Sequence, residues 1–281
     1  VNPPPLDPGL YREIVRRALA EDLGWGDSTS ALVVPEGARA TGVFLARAEI
    51  VLAGLDVALE AFRQLDPAVG VEAFRFDGDR CRPGDTIAAV TGLAAPMLTA
   101  ERTALNFLRH LSGVASVTRW SVEAGGGTLR IADTRKTLPL LRALQKHAVR
   151  VGGGISSRQS LDEGIVIKAN HARAGGGLAP TVVRARAARP DEPVHAEAAT
   201  IEEARDAVEA GAAVVVFTGT SPAELQQVLK RCAGRARVVV AGQVPFERLA
   251  AFASAGADVV SLGAITDSAP AADITFELRS E

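Results

Sequence analysis

From about residue 128 onward the chain repeats one unit: a short β-branched or apolar run, a polar turn, and a helical stretch. The runs are Leu129–Ile131, Ile165–Ile167, Pro193–Ala196, Val214–Phe217, Val238–Val240 and Val259–Ser261. Helical stretches at 138–149, 201–210, 222–232 and 245–255 lie between most of them. A spacing of about 20–30 residues per unit predicts a parallel sheet closed into a barrel.

The chain before this point reads differently. Residues 10–21 have helical periodicity, with Leu10, Ile14, Val15, Ala18 and Leu19 on one side. The acidic, glycine-containing loop Glu21–Thr29 follows. Residues 40–52 and 86–91 read as strands, 54–65 as a helix and Asp77-Gly78 as a turn, which makes an α+β unit. Residues 96–119 read as a long helix with Leu98, Leu105, Leu108, Leu111 and Val114 as its apolar stripe, and Gly125–Gly127 marks a break. The fold class is therefore α/β, a barrel preceded by an N-terminal α+β domain.

Bulk properties narrow the partners. At 281 residues, 47% hydrophobic and 23% charged, the chain is long enough for two domains and a sizeable core. A net charge of -2 and 4% aromatic residues argue against nucleic acid and against an anionic membrane surface. No apolar run approaches the ~18 residues of a membrane span. Val1–Pro8 is proline-rich rather than basic and then apolar, so it does not read as a secretory signal, and a cytoplasmic location is expected. Cys81 and Cys232 form no ligand pattern and read as reduced structural thiols. His171 and His195 are too isolated to be metal ligands, so no protein metal site is expected.

The polar residues that carry chemistry sit just after the apolar runs: Asp133-Thr134-Arg135-Lys136, Lys168-Ala169-Asn170-His171, Glu197, Thr218-Gly219-Thr220 and Gly263. In a βα barrel that edge is the C-terminal face, where active sites are built. Of 31 basic residues only Lys136, Lys146, Lys168 and Lys230 are lysines, and two of these fall within the motifs, where a compact ammonium would serve. Arg102, Arg135, Lys136, Arg158 and Lys168 are candidate cations around one pocket. So many like charges on one face require an anionic ligand, a carboxylic acid beside a phosphate or pyrophosphate. Gly152–Gly154 would let backbone approach an anion. Gly242 and Gly263 follow the last two strands, where barrel loops bind phosphate through backbone N–H groups, with Ser261 and Thr266 as hydroxyl donors.

These motifs together resemble the quinolinate phosphoribosyltransferase family over about residues 15–278. The resemblance rests on Glu21-Asp22-Leu23-Gly24 with Gly26-Asp27, Glu101-Arg102 with Ala104–Leu108, and Leu111–Ala115. It continues through Asp133–Thr137, Gly152–Gly154, Lys168-x-Asn170-His171 and Ser261-x-Gly263 before Thr266. It implies an open α/β barrel over 113–267, an N-terminal domain over 1–112, and a tail of about 268–281 returning to that domain. The implied reaction joins quinolinate to phosphoribosyl pyrophosphate with Mg²⁺, releasing pyrophosphate and CO₂. The implied assembly is a homodimer or larger, with each site completed by the neighbour's N-terminal domain. Carried over by position, Arg102 would reach the acid's carboxylates from the partner chain, and Arg135 and Arg158 would grip the same acid. Lys136 and Lys168 would face acid and phosphates, Glu197 the ribose and metal, and Gly242, Ser261 and Gly263 the 5-phosphate.

Departures from the family pattern cluster at the site. Ser156-Ser157-Arg158 replaces Asn-His-Arg, so Ser157 stands where a histidine contacts the acid. Phe217-Thr218-Gly219 replaces Leu-Asp-Asn, so a carboxylate is missing at Thr218, and Leu140 replaces a glycine. Ser157 and Thr218 are thus the positions expected to set substrate choice. An alternative is a non-catalytic or re-specified paralogue that binds a carboxylated or phosphorylated ligand; an unrelated barrel enzyme acting on a phosphate ester would leave the N-terminal motifs unexplained.

Overall fold

The computed structural model describes residues 4–219 and 221–279. Thr220 and the start of the proline-rich segment, residues 1–3, lie outside the described residues.

The first stretch runs α1 (Arg12–Leu23), α2 (Ser28–Val33), β1 (Arg39–Ala46), β2 (Ile50–Val51), α3 (Leu55–Leu65), β3 (Gly70–Ala73), β4 (Arg80–Cys81), β5 (Thr86–Leu93) and α4 (Ala94–Ala124). Then come β6 (Arg130–Ala132), α5 (Arg142–Val151), β7 (Ile165–Ile167), α6 (Ala169–Ala174), α7 (Leu178–Ala188), β8 (Val194–Ala198) and α8 (Ile201–Glu209). The chain closes with β9 (Val214–Phe217), α9 (Pro222–Cys232), β10 (Arg237–Ala241), α10 (Leu249–Ser254), β11 (Val259–Ser261), α11 (Ala264–Asp267) and β12 (Ile274–Arg279). Two compact units result among the described residues: 4–119, 138–153 and 268–279 in one, and 120–137, 154–219 and 221–267 in the other. Among the described residues no helix is long and apolar enough to cross a membrane.

The first unit is built on an antiparallel sheet in the order β12-β1-β5-β3. The chain's last strand lies along β1 in register, with Phe276 opposite Phe44. Phe44, Phe62 and Phe276 form one aromatic cluster, with centroids 4.7 to 5.9 Å apart. Gly42 makes room for it, since a Cβ there would stand 2.0 Å from the Phe276 ring. The sequence reading of one strand over 40–52 is corrected to two, β1 and β2, with a break at 47–49.

Several motif residues serve this unit's architecture. Asp27 caps α2 through the Ser30 amide (2.9 Å) and accepts from the hydroxyls of Ser30 and Thr99 (2.6 and 3.0 Å), bonds that hold its carboxyl below the usual range. Ser112 and Ser116 on α4 accept the amides of Ala53 and Val51 (3.1 and 2.8 Å). Helix α5 buries Gln145, Lys146 and His147 along with its leucine and valines. The buried polar groups are bonded, as burial demands: His147 Nε2 lies 3.0 Å from Asp77 Oδ2, and Gln145 Oε1 accepts the Leu138 amide at 2.9 Å. The close approach that Gly152 permits is to α4, where a Cβ would stand 2.5 Å from the Ala115 carbonyl.

The second unit is a wholly parallel sheet in the order β6-β11-β10-β9-β8-β7. This is the cyclic order of a βα barrel with its closure left out between β6 and β7, so the barrel is open. The free edge of β6 instead meets Ile155 in an isolated parallel bridge to Ala132. Burial alternates along β8, with Val194, Ala196 and Ala198 buried and His195 and Glu197 half-buried on the other face. Between β7 and β8 stand two helices, α6 and α7, that periodicity does not reveal. Their sequence carries no apolar stripe, and Val182 alone is buried among their residues.

Replacing Phe276 by alanine is expected to destabilise the first unit by about 3–5 kcal/mol, as for other buried aromatic truncations. A urea titration of the full chain read by tryptophan fluorescence checks this, and an unchanged midpoint would show that the tail strand adds nothing to the core.

Candidate active site

The C-terminal ends of the barrel strands carry nearly all the residues singled out in the second unit. Arg135 and Lys136 follow β6, Lys168 follows β7, Glu197 lies near the end of β8, Thr218 follows β9, Gly242 follows β10 and Gly263 follows β11. Each strand delivers its polar residue to the same edge because all six run parallel.

These cations have no carboxylate partner among the described residues: Arg135, Lys136, Arg158 and Lys168 make no ion pair there. The Nε of Arg135 is buried and has no hydrogen-bond partner. Burial first, and then the charge of Arg135, hold the Arg158 guanidinium below its ordinary value. A buried guanidinium donor without a partner, beside a second arginine, suits an anion. The Arg158 guanidinium also donates to the Gly164 carbonyl (3.1 Å), which steadies the loop beyond it.

Lysine placement is equally local. Lys168 is the N-cap of α6, and His171 Nδ1 accepts its amide at 3.0 Å, so His171 fixes the turn that presents the ammonium. Lys136 runs over Gly263, where a Cβ would stand 2.8 Å from Lys136 Cδ. Thr266 Oγ1 donates to the Lys136 carbonyl at 2.7 Å and ties the β6 and β11 loops together. Leu140, in the same loop as Lys136, has φ 65, and no other non-glycine residue described has a positive φ. A leucine in the left-handed region is strained by about 1–2 kcal/mol.

On the remaining strands, the Glu197 carboxylate is half-buried and unpaired among the described residues. The Thr218 hydroxyl points back to the Ala198 carbonyl at 3.4 Å. Gly242 has φ 108, which suits glycine, and only the Thr218 backbone lies within reach of a Cβ there. Ser261 Oγ donates to the Asp133 carbonyl at 2.9 Å. The Ser157 hydroxyl donates to Asp133 Oδ1 at 2.7 Å. Arg102 belongs to the first unit, exposed on α4, and is not part of this set.

Two residues of the site were not singled out for a role by sequence. Asp133 is fully buried at the end of β6 and organises the Ser156-Ser157 turn. His195 shares the Glu197 face of β8, and its pKa is lowered by burial, then by Arg237 and Arg158. The every-second-residue pattern His195-x-Glu197 is the signal that places both on one face. Because its folded pKa is depressed, His195 adds stability that is fully present above the unfolded value of about 6.5 and lost as pH falls through the folded pKa. In a histidine NMR titration its resonance is expected to titrate below that value and to move upward when an anion neutralises Arg158. No upward movement with saturating ligand would place the anion elsewhere.

Comparison with known proteins shows the family. A family model described as quinolinate phosphoribosyl transferase, N-terminal domain, matches residues 27–112, and its C-terminal domain counterpart matches 114–277. The nicotinate-nucleotide pyrophosphorylase [carboxylating] of Mycobacterium leprae is 40% identical over 278 residues, covering 95% of this chain and 96% of that protein. The probable enzyme of the same name from Bacillus subtilis is 35% identical over 269 residues, covering 95% and 93%. The crystal structure of NadC from Streptococcus pyogenes superposes with a TM-score of 0.93 at 34% identity, covering 99% of this chain and 100% of that one.

Proposed function

The chain belongs to the quinolinate phosphoribosyltransferase family, and we propose that it joins quinolinate to phosphoribosyl pyrophosphate, giving nicotinate mononucleotide, pyrophosphate and CO₂. The observation that carries this reading is the set of unpaired cations at one strand edge, with the buried, unpartnered Nε of Arg135 among them.

In this reading the two carboxylates of the acid take the forked donors of Arg135 and Arg158, which orients the ring nitrogen toward the ribose. Breaking the bond to pyrophosphate develops positive charge on the sugar, and Glu197 is the carboxylate that meets it. Negative charge grows on the leaving group, and Lys136 and Lys168 meet that. The loops bearing Gly242, Ser261 and Gly263 receive the 5-phosphate. Ser261 acts there through backbone, since its hydroxyl is already bonded to Asp133.

Mg²⁺ enters with phosphoribosyl pyrophosphate as part of the substrate. Bound there, the ion would add charge neutralisation to the leaving group. Thr218 leaves Glu197 without the second carboxylate expected from the family pattern, which favours a slower enzyme or a different aromatic acid over an abandoned site, because the cations remain. The protein works in this reading as a cytoplasmic homodimer or larger assembly, with Arg102 offered from α4 to the neighbouring chain's site.

Pyrophosphate release from phosphoribosyl pyrophosphate and Mg²⁺ with quinolinate tests the reaction. Release is expected, and Lys136→Ala is expected to lower kcat by about 10²-fold or more. Silence with quinolinate and with a panel of other aromatic acids would leave a binding protein. The shared site has its own test. Inactive Arg102→Ala and Lys136→Ala chains, mixed under conditions of verified subunit exchange, are expected to recover activity in hybrids, and no recovery would place Arg102 outside the partner's site.

A further inference from the structure

We propose that Asp133 is a positioning residue that sets the separation of Arg135 and Arg158 by gripping the Ser156-Ser157 turn; the proposal rests on the reading that these two arginines hold the acid. The bonds form one cluster. Asp133 is 0% exposed, and its Oδ1 accepts both the amide and the hydroxyl of Ser157, each at 2.7 Å. Its Oδ2 accepts the Ser156 hydroxyl at 2.9 Å. The Asp133 amide donates to the Ile155 carbonyl at 3.1 Å, and the Ile155 amide donates to Ile131 at 2.8 Å. The segment entering the turn is thereby laid along the free edge of β6, where the open barrel lacks a neighbouring strand. On the other side Ser261 Oγ fixes the Asp133 carbonyl to the end of β11.

Each side of this cluster adjoins one of the two arginines in the chain: Arg135 follows Asp133 by two residues, and Arg158 follows Ser157 directly. The arginines repel each other, as the effect of Arg135 on Arg158 shows. Nothing charged among the described residues pairs with either, so backbone stiffness must oppose the repulsion. The clamp supplies it by joining the two loops through one buried carboxylate that accepts from Ser156 and Ser157. A buried carboxylate free to turn toward Arg135 or Arg158 would occupy the guanidinium donors that an anionic ligand needs. Serine at 156 and 157 keeps the Asp133 charge engaged on the scaffold, so Ser157 acts on the loop and not on the acid.

The test uses full-length protein with Ser156→Ala/Ser157→Ala, which removes both hydroxyls while sparing the buried carboxylate, and Ser157→Thr, which keeps both. Hydrogen exchange over residues 154–164 and steady-state kinetics with quinolinate are read together. In the double variant, exchange in this segment is expected to rise about tenfold. The KM for the acid should rise about tenfold or more, and the KM for phosphoribosyl pyrophosphate should stay within about twofold, as for a displaced binding group. Ser157→Thr, which keeps the hydroxyls, is expected to stay close to wild type in both. Unchanged exchange in the double variant would overturn the clamp whatever the kinetics, and faster exchange with an unmoved acid KM would overturn its role in positioning. Wild-type protein that neither binds nor turns over quinolinate would defeat the reading of the site and with it the claim about the acid, while the exchange result would still show whether the clamp holds the loop.

Discussion

Arg135 and Arg158 each lack a carboxylate partner among the described residues, and the charge of Arg135 helps to lower the pKa of Arg158. Such a pair is unfavourable in the free protein, and side chains alone would relax it by swinging apart into water. It persists because both arginines stand on short loops anchored to the edge of one parallel sheet. The whole second unit can be understood from that requirement: a scaffold rigid for reasons of its own holds like charges together until an anion relieves them.

The rigidity has two sources. Parallel strands whose outward residues are buried, such as Val194, Ala196 and Ala198 on β8, cannot shift without exposing them. Hydrogen bonds then tie the strand ends to one another: Ser261 and Thr266 donate to backbone carbonyls in the β6 loop, and Asp133 binds the turn that precedes Arg158. Opening the barrel between β6 and β7 leaves one strand edge unpaired, and the chain uses that edge to seat Ile155 and the serine turn. An unpaired edge is otherwise a liability for pairing with other chains.

Much of this was legible in the sequence. Strands β7, β9 and β11 and helix α9 begin and end where periodicity puts them, because short apolar runs between turn residues leave little freedom. Other features were hidden by their composition. Helices α6 and α7 are rich in alanine and arginine and lack an apolar stripe, so no period marks them. Helix α5 starts at Arg142 and not at 138, because Pro139 and the left-handed Leu140 hold the chain out of helix first. Gly152, read as a place for an anion, takes α4 as its close neighbour.

The sequence by itself determined which charges the protein carries and, through the strand periodicity, that most of them would gather at one edge of a parallel sheet. It also determined the family, because the motifs recur in order along nearly the whole chain. Only the tertiary structure decided which polar groups remain free for a ligand and which are already bonded. His171 caps α6, and the hydroxyls of Ser157 and Ser261 bind Asp133, while Arg135 keeps a buried donor unused. The reason is the range of the bonds: Ser157 lies 24 residues from Asp133 and Ser261 lies 128 residues away, so no local pattern can record the pairing. A hydroxyl or a carboxylate has the same chemistry in the sequence whether it faces solvent, substrate or its own scaffold, and folding alone selects among them.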